Sequence, residues 1–93
     1  MKNLNKKDVK MIVQEILAQA DMEGLIEYGC GRDEYSPEAK VIANYIVENA
    51  DTIDVNILSC VCAECFNRYF FPNYSQYDFV EVAKCILMNL EEE

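Results

Sequence analysis

Residues 54–69 read DVNILSCVCAECFNRY, and how this stretch is taken decides the fold. Cys60, Cys62 and Cys65 form C-x-C-x-x-C, which could be part of a thiolate metal knuckle. The apolar residues argue for a helix instead. Leu58, Val61, Cys62, Cys65, Phe66 and Tyr69 recur at helical spacing and share one face, flanked by Val55 and Ile57. At about 100° per residue, Cys62 and Cys65 stand about 60° apart on that face. Cys60 falls on roughly the opposite side. Three thiolates could not then converge on one ion without unwinding the helix. Cys62 and Cys65 are therefore expected as small core hydrophobes, and neither a metal nor another cofactor is expected. Cys30 and Cys60 remain candidates for a reactive thiol.

This is the most apolar helix of the chain, so it is expected to be central. It should start at Asp54, or at Thr52 with a slipped boundary. It should end at Phe70-Phe71-Pro72, because proline disfavours the α conformation in the residue before it.

The same period recurs outward in both directions. Downstream, a fourth helix is expected from about Ser75, where Ser75 and Asp78 have capping-box spacing. Phe79, Ala83, Ile86, Leu87 and Leu90 make its stripe, and Glu91, Glu92 and Glu93 should fray its end. Upstream, Ser36 is the expected cap of a second helix, with Pro37 at its first position. Ala39, Ile42, Ala43, Ile46 and Ala50 form its inward face, and it should end near Asn49–Asp51. A first helix should run from Asn5 to Ala20, with Asn5 as cap and Val9, Ile12, Val13, Ile16, Leu17 and Ala20 inward. No segment reads as a strand. The expectation is an all-α compact bundle of about four helices in a single domain, 1–93.

Between the first two helices, Asp21 to Tyr35 is long for a helix connection, and long connections are often functional. It holds Gly24, Gly29 and Gly31, which stop helix propagation. Residues 21–38 carry Asp21, Glu23, Glu27, Asp33, Glu34 and Glu38 against Arg32 alone, with Tyr28 and Tyr35 interleaved. Tyrosine anchors among carboxylates fit a protein interface that pairs with Lys or Arg opposite. Glu23, Glu27, Tyr28, Asp33, Glu34, Tyr35 and Glu38 are the expected partner-binding residues. For Tyr35 taken alone, packing on the core is the better reading. Tyr74 and Tyr77 beside Phe71 offer a second aromatic surface, or a plug under the loop.

Seventeen acids against eight bases give a net charge of −9. Four of the bases lie in the first ten residues, so residues 11–93 carry sixteen acids and four bases, a net of −12. Such a field repels nucleic acid and anionic membranes and speeds encounter with basic partners. Simple solubility is the alternative use of that charge. The chain has no histidine. That removes Ser-His and Cys-His nucleophile pairs and the commonest general acid–base. Gly29-Cys30-Gly31 lacks the rest of a dinucleotide fingerprint, and no EF-hand spacing occurs. No catalytic residue is assigned, and the chain is not expected to be an enzyme. The apolar run Ile57–Phe66 is about half the ~20 residues of a membrane span and is broken by Glu64. With five cysteines, an odd count, and no signal-peptide pattern, a cytoplasmic protein without structural disulfides is expected.

Asp33-Glu34-Tyr35-Ser36-Pro37-Glu38 followed by an apolar helix resembles the D-E-Y-x-x-E signature of the small YugE-like bacterial family. Phe66 with Tyr69-Phe70, and Ala83 with Ile86-Leu87, extend the resemblance over roughly residues 16–90. It departs upstream, where the family often has W-D-P and this chain has Ala20-Asp21-Met22. The resemblance implies a compact helical fold and supplies no activity. Related small acidic helical proteins occur as immunity proteins beside bacterial toxins. Two functions are therefore open. One is an immunity-type or inhibitor protein that masks the active site of a basic toxin or nuclease. The other is a regulatory or structural module, homo-oligomeric, with no toxin partner.

Overall fold

A computed structural model describes residues 5–21, 35–69 and 73–91. They form α1 (Lys6–Ala20), α2 (Ser36–Glu48), α3 (Val55–Tyr69), a short 3-10 turn (Gln76–Phe79) and α4 (Val80–Glu91). No strand occurs among the described residues. The protein is an all-α bundle. Its radius of gyration, 12.3 Å, is close to the roughly 12 Å expected for a compact chain of this length.

The four helices close into a ring. α1 packs on α2 and α4, and α3 packs on α2 and α4, so α1 and α3 occupy opposite corners. The core lies between them and is filled by residues spaced three or four apart. Val9, Val13 and Leu17 come from α1, and Ala39, Ile42, Ala43 and Ile46 from α2. Leu58, Cys62 and Phe66 come from α3, and Ala83, Ile86 and Leu90 from α4. Each large side chain removed from water contributes roughly 1.5–3 kcal/mol. α3 supplies six buried residues, more than any other helix. One is Ser59, whose hydroxyl is satisfied by donating to the Val55 carbonyl at 2.6 Å.

Capping fixes the helix ends. Asn5 Oδ1 accepts from the Lys7 amide at 2.8 Å, as expected of an N-cap. Asp54 Oδ1 accepts from Ile57 at 2.9 Å, so α3 begins where the sequence placed its cap. Ser75 and Asp78 form the expected capping box, with the Ser75 amide donating to Asp78 Oδ2 at 2.9 Å. The box opens a 3-10 turn, and α4 begins only after it, because the Asp78 amide bonds back to Ser75 O, three residues away.

The start of α2 differs from expectation. Ser36 is not the cap but the first helical residue, and Tyr35 occupies the capping position with no side-chain cap bond. The reason is burial. Tyr35 is 0 % exposed and its ring packs on Phe66, which draws the chain into the helix one residue early. On α3, periodicity puts Tyr69 on the core face, yet it is 48 % exposed, while Ala63 and Ser59 are buried. Tyr69 stands only about 20° round the helix axis from Leu58, so its exposure comes not from its face but from its place as the last residue of α3.

Candidate partner-binding surface

Two of the seven expected binding residues can be placed. Tyr35 and Glu38 both lie inside, Glu38 at 3 % exposure. Neither is a surface anchor: Tyr35 packs on the core, as preferred for it taken alone, and the burial of Glu38 corrects its assignment. Tyr35 belongs to an aromatic cluster with Phe66, Tyr74 and Phe79 at the end of the bundle where α1 finishes and α2 begins. The Phe66 ring lies 4.9 Å from Phe79 and 5.9 Å from Tyr35. Tyr74 meets Phe66 and Phe79 edge-on. The Tyr35 hydroxyl, the polar handle of a buried ring, donates to Asp21 Oδ1 at 2.7 Å. Glu23, Glu27, Tyr28, Asp33 and Glu34 lie outside the described residues.

In the second aromatic candidate the two tyrosines separate. Tyr74 packs against the core, whereas Tyr77 is 77 % exposed. Tyr74 is held by its backbone. Asn67 Nδ2 donates to Tyr74 O at 2.9 Å, and Tyr74 N donates to Asn67 Oδ1 at 2.7 Å. One side-chain amide thus takes the place of a strand partner and ties the end of α3 to the segment before the 3-10 turn.

The cysteines sort as the helical reading requires. Cys62 and Cys65 are buried, Cys60 is half-buried with its thiol directed to Gln76 Oε1, and Cys85 is exposed. Cys30 is outside the described residues. Burial pushes the Cys62 thiol up to about 12, and the neighbouring Cys65 adds to the effect. Burial likewise pushes Cys65 up to about 12, reinforced by the Glu38 carboxylate and opposed by Arg68. Both are therefore protonated at neutral pH and poor as nucleophiles or ligands. Among the described residues no group of three His, Cys, Asp or Glu side chains is arranged to hold a metal ion. No described helix is long and apolar enough to cross a membrane.

A groove of about 430 Å³ runs between α2 and α3. Val41, Asn44, Tyr45 and Glu48 line one wall, and Val61, Glu64, Cys65 and Arg68 the other. Each wall repeats at i, i+3, i+4, i+7, a second stripe beside the core stripe of its helix. Tyr45, Asn44 and Val61 are half-buried, Val41 is 36 % exposed, and Glu48, Glu64 and Arg68 reach solvent. Buried Cys65 forms the floor and donates weakly to Glu38 O at 3.8 Å. An apolar centre around one tyrosine, with charges at the margin, has the composition of an interface patch. The pattern is present in the sequence, but it becomes a groove only because α2 and α3 are neighbours.

Compared with protein-family models, with curated proteins and with solved structures, the chain matches none.

Proposed function

We propose that this chain is a binding protein of the immunity or inhibitor type, which neutralises a basic partner such as a toxin or nuclease domain by covering its active site. The observation that carries the reading is the α2–α3 groove on a chain of net charge −9. Tyr45 is the aromatic anchor, with Val41 and Val61 beside it, and Glu48 and Glu64 meet cationic residues of the partner. The aromatic anchor thus moves about three turns along the chain, from Tyr35 to Tyr45. At 1.5 Å per residue, that is a shift of about 15 Å. Glu23, Glu27, Asp33 and Glu34 stay in this reading as acidic contacts and Tyr28 as an aromatic one. The absence of histidine and the protonated core thiols support binding rather than catalysis.

The test is a low-salt pull-down from the native host with the wild-type chain and with Tyr45→Ala. Captured proteins are identified and assayed for toxicity. Tyr45→Ala should lose a toxic basic partner, and Glu48→Lys with Glu64→Lys should slow its association. Capture that survives high salt, or that is indifferent to all three substitutions, overturns the assignment.

The alternative, a homo-oligomeric module, draws on Met11 and Met88, each 62 % exposed on neighbouring helices α1 and α4. Sedimentation showing a monomer at high concentration would remove it.

A further inference from the structure

The bases of this acidic chain are not spread evenly. Lys6, Lys7 and Lys10 on α1 and Lys40 on α2 line one groove of about 350 Å³, with Ala43 and Asn44 at its base. These are four of the eight basic residues in the sequence. Lys6 and Lys10 are four apart and Lys7 and Lys10 three apart, so they stack on one face of α1. Lys40 approaches from the second helix. Like charges at this spacing repel and weaken a helix. Seventeen acids were available to relieve that repulsion. None of the described ones forms an ion pair with any of the four. The ion pair found among the described residues joins Lys84 and Glu81 on α4. A concentration of unpaired positive charge in one concavity, on a protein negative almost everywhere else, is what a bound anion would offset.

We propose that this α1–α2 groove binds a compact, multiply charged phosphate anion of the pyrophosphate or nucleoside polyphosphate class. Size and charge select that class. The volume falls in the range of small-ligand pockets, roughly 300–1,000 Å³. Lysine is a point-charge phosphate binder, and the chain's two arginines are not among the lining residues. A compact anion sits wholly within about one Debye length of the four ammonium groups, ~8–10 Å at ordinary ionic strength. A long polyanion, such as a nucleic acid or an anionic membrane, would extend beyond the lysines over the surrounding carboxylates. The first turn of α1, its positive dipole end, adjoins the same groove. The four lysines lie outside the α2–α3 groove, although the two grooves meet at Asn44, and anion binding here does not depend on what that groove binds.

The test is titration calorimetry of the full chain with pyrophosphate at low salt, with ATP as the nucleotide probe. Saturable binding is expected, weakened roughly tenfold by Lys10→Gln and again by Lys40→Gln, since each removes a charge-assisted contact. Lys84→Gln changes the net charge by the same amount on another helix and should leave binding unchanged. Thermal melts of all three variants should stay close to wild type, shifted only slightly by the loss of weak surface charge pairs. No saturable binding of either probe, or equal loss with Lys84→Gln, overturns the site. Tighter binding to duplex DNA or phosphatidylserine vesicles than to pyrophosphate overturns the compact-anion assignment.

Discussion

The Tyr35 hydroxyl donates to Asp21 Oδ1 across 2.7 Å, joining the residue that closes α1 to the one that opens α2. Fourteen positions of sequence separate the two. Asp21 is also the described non-glycine residue with positive φ, at 46°, and its amide caps α1 by donating to Leu17 O at 2.8 Å. The carboxylate therefore serves the tertiary fold while its backbone ends a helix.

Tyr35→Phe should cost about 1.5–3 kcal/mol, the value of one hydrogen bond to a charged acceptor. Asp21→Ala should cost more. It removes the same bond and also forces a Cβ-bearing residue without a local polar side chain into the left-handed region. The two losses should be less than additive in a double-mutant cycle followed by urea denaturation. Full additivity would mean that the bond contributes nothing to stability.

How far the sequence could be read is illustrated by the same pair. Asn5, Asp54 and Ser75 were legible as caps because capping is local, decided within three or four residues. The core stripes were legible because the helical period is local too. Tyr35 is different. Its neighbours Glu34 and Glu38 made it look like part of an acidic surface, and what buries it comes from Phe66, thirty-one residues on. Glu38 misleads for a related reason. A carboxylate is expected outside, yet it occupies the inward face of α2 one turn before Ile42. The α2–α3 and α1–α2 grooves were also hidden, since each requires knowing which helices are adjacent. The Tyr and the final Glu of the D-E-Y-x-x-E motif are thus both interior positions, where shape and packing constrain the residue.

Asn67→Ala should destabilise the chain by about 1–2 kcal/mol. It removes both bonds to the Tyr74 backbone, although water can reach Asn67 and replace part of each. Asn67→Asp keeps the acceptor and loses the donor, so its cost should be smaller. Amide hydrogen exchange supplies the specific readout. Protection at Tyr74 should fall in Asn67→Ala and survive in Asn67→Asp.

Phe66 touches three other rings and is 0 % exposed. Phe66→Ala should therefore cost about 3–5 kcal/mol, through lost transfer energy and the cavity left between Tyr35, Tyr74 and Phe79. For a small domain with roughly 5–15 kcal/mol in total, that is a large share. Chemical denaturation should show it, with a bigger loss than Lys10→Gln, Lys40→Gln or any other surface substitution. A loss below about 1 kcal/mol would show that the aromatic end of the bundle does not stabilise the fold.

The core thiols make stability depend on alkaline pH. Cys62 and Cys65 are raised from an ordinary value near 9 to about 12. Below pH 9 they are protonated both folded and unfolded, so folding changes no proton count and their contribution is fully present. Between about 9 and 12 the unfolded chain releases these protons and the folded chain keeps them. The unfolded state then binds fewer protons, and stability falls as pH rises. Cys62 contributes at most about 1.4 kcal/mol per pH unit in that window, and Cys65, closer to solvent and better screened, contributes less. Urea midpoints should accordingly drop steeply above about pH 9 in the wild type and less so in Cys62→Ala, even though the variant starts lower because of its cavity. The same physics orders the reactivity at about pH 8. Among Cys60, Cys62, Cys65 and Cys85, the exposed Cys85 should be alkylated first and Cys60 next, with Cys62 and Cys65 protected until the chain unfolds. Rapid modification of Cys62 in the native protein would contradict both its burial and the helical reading of residues 54–69.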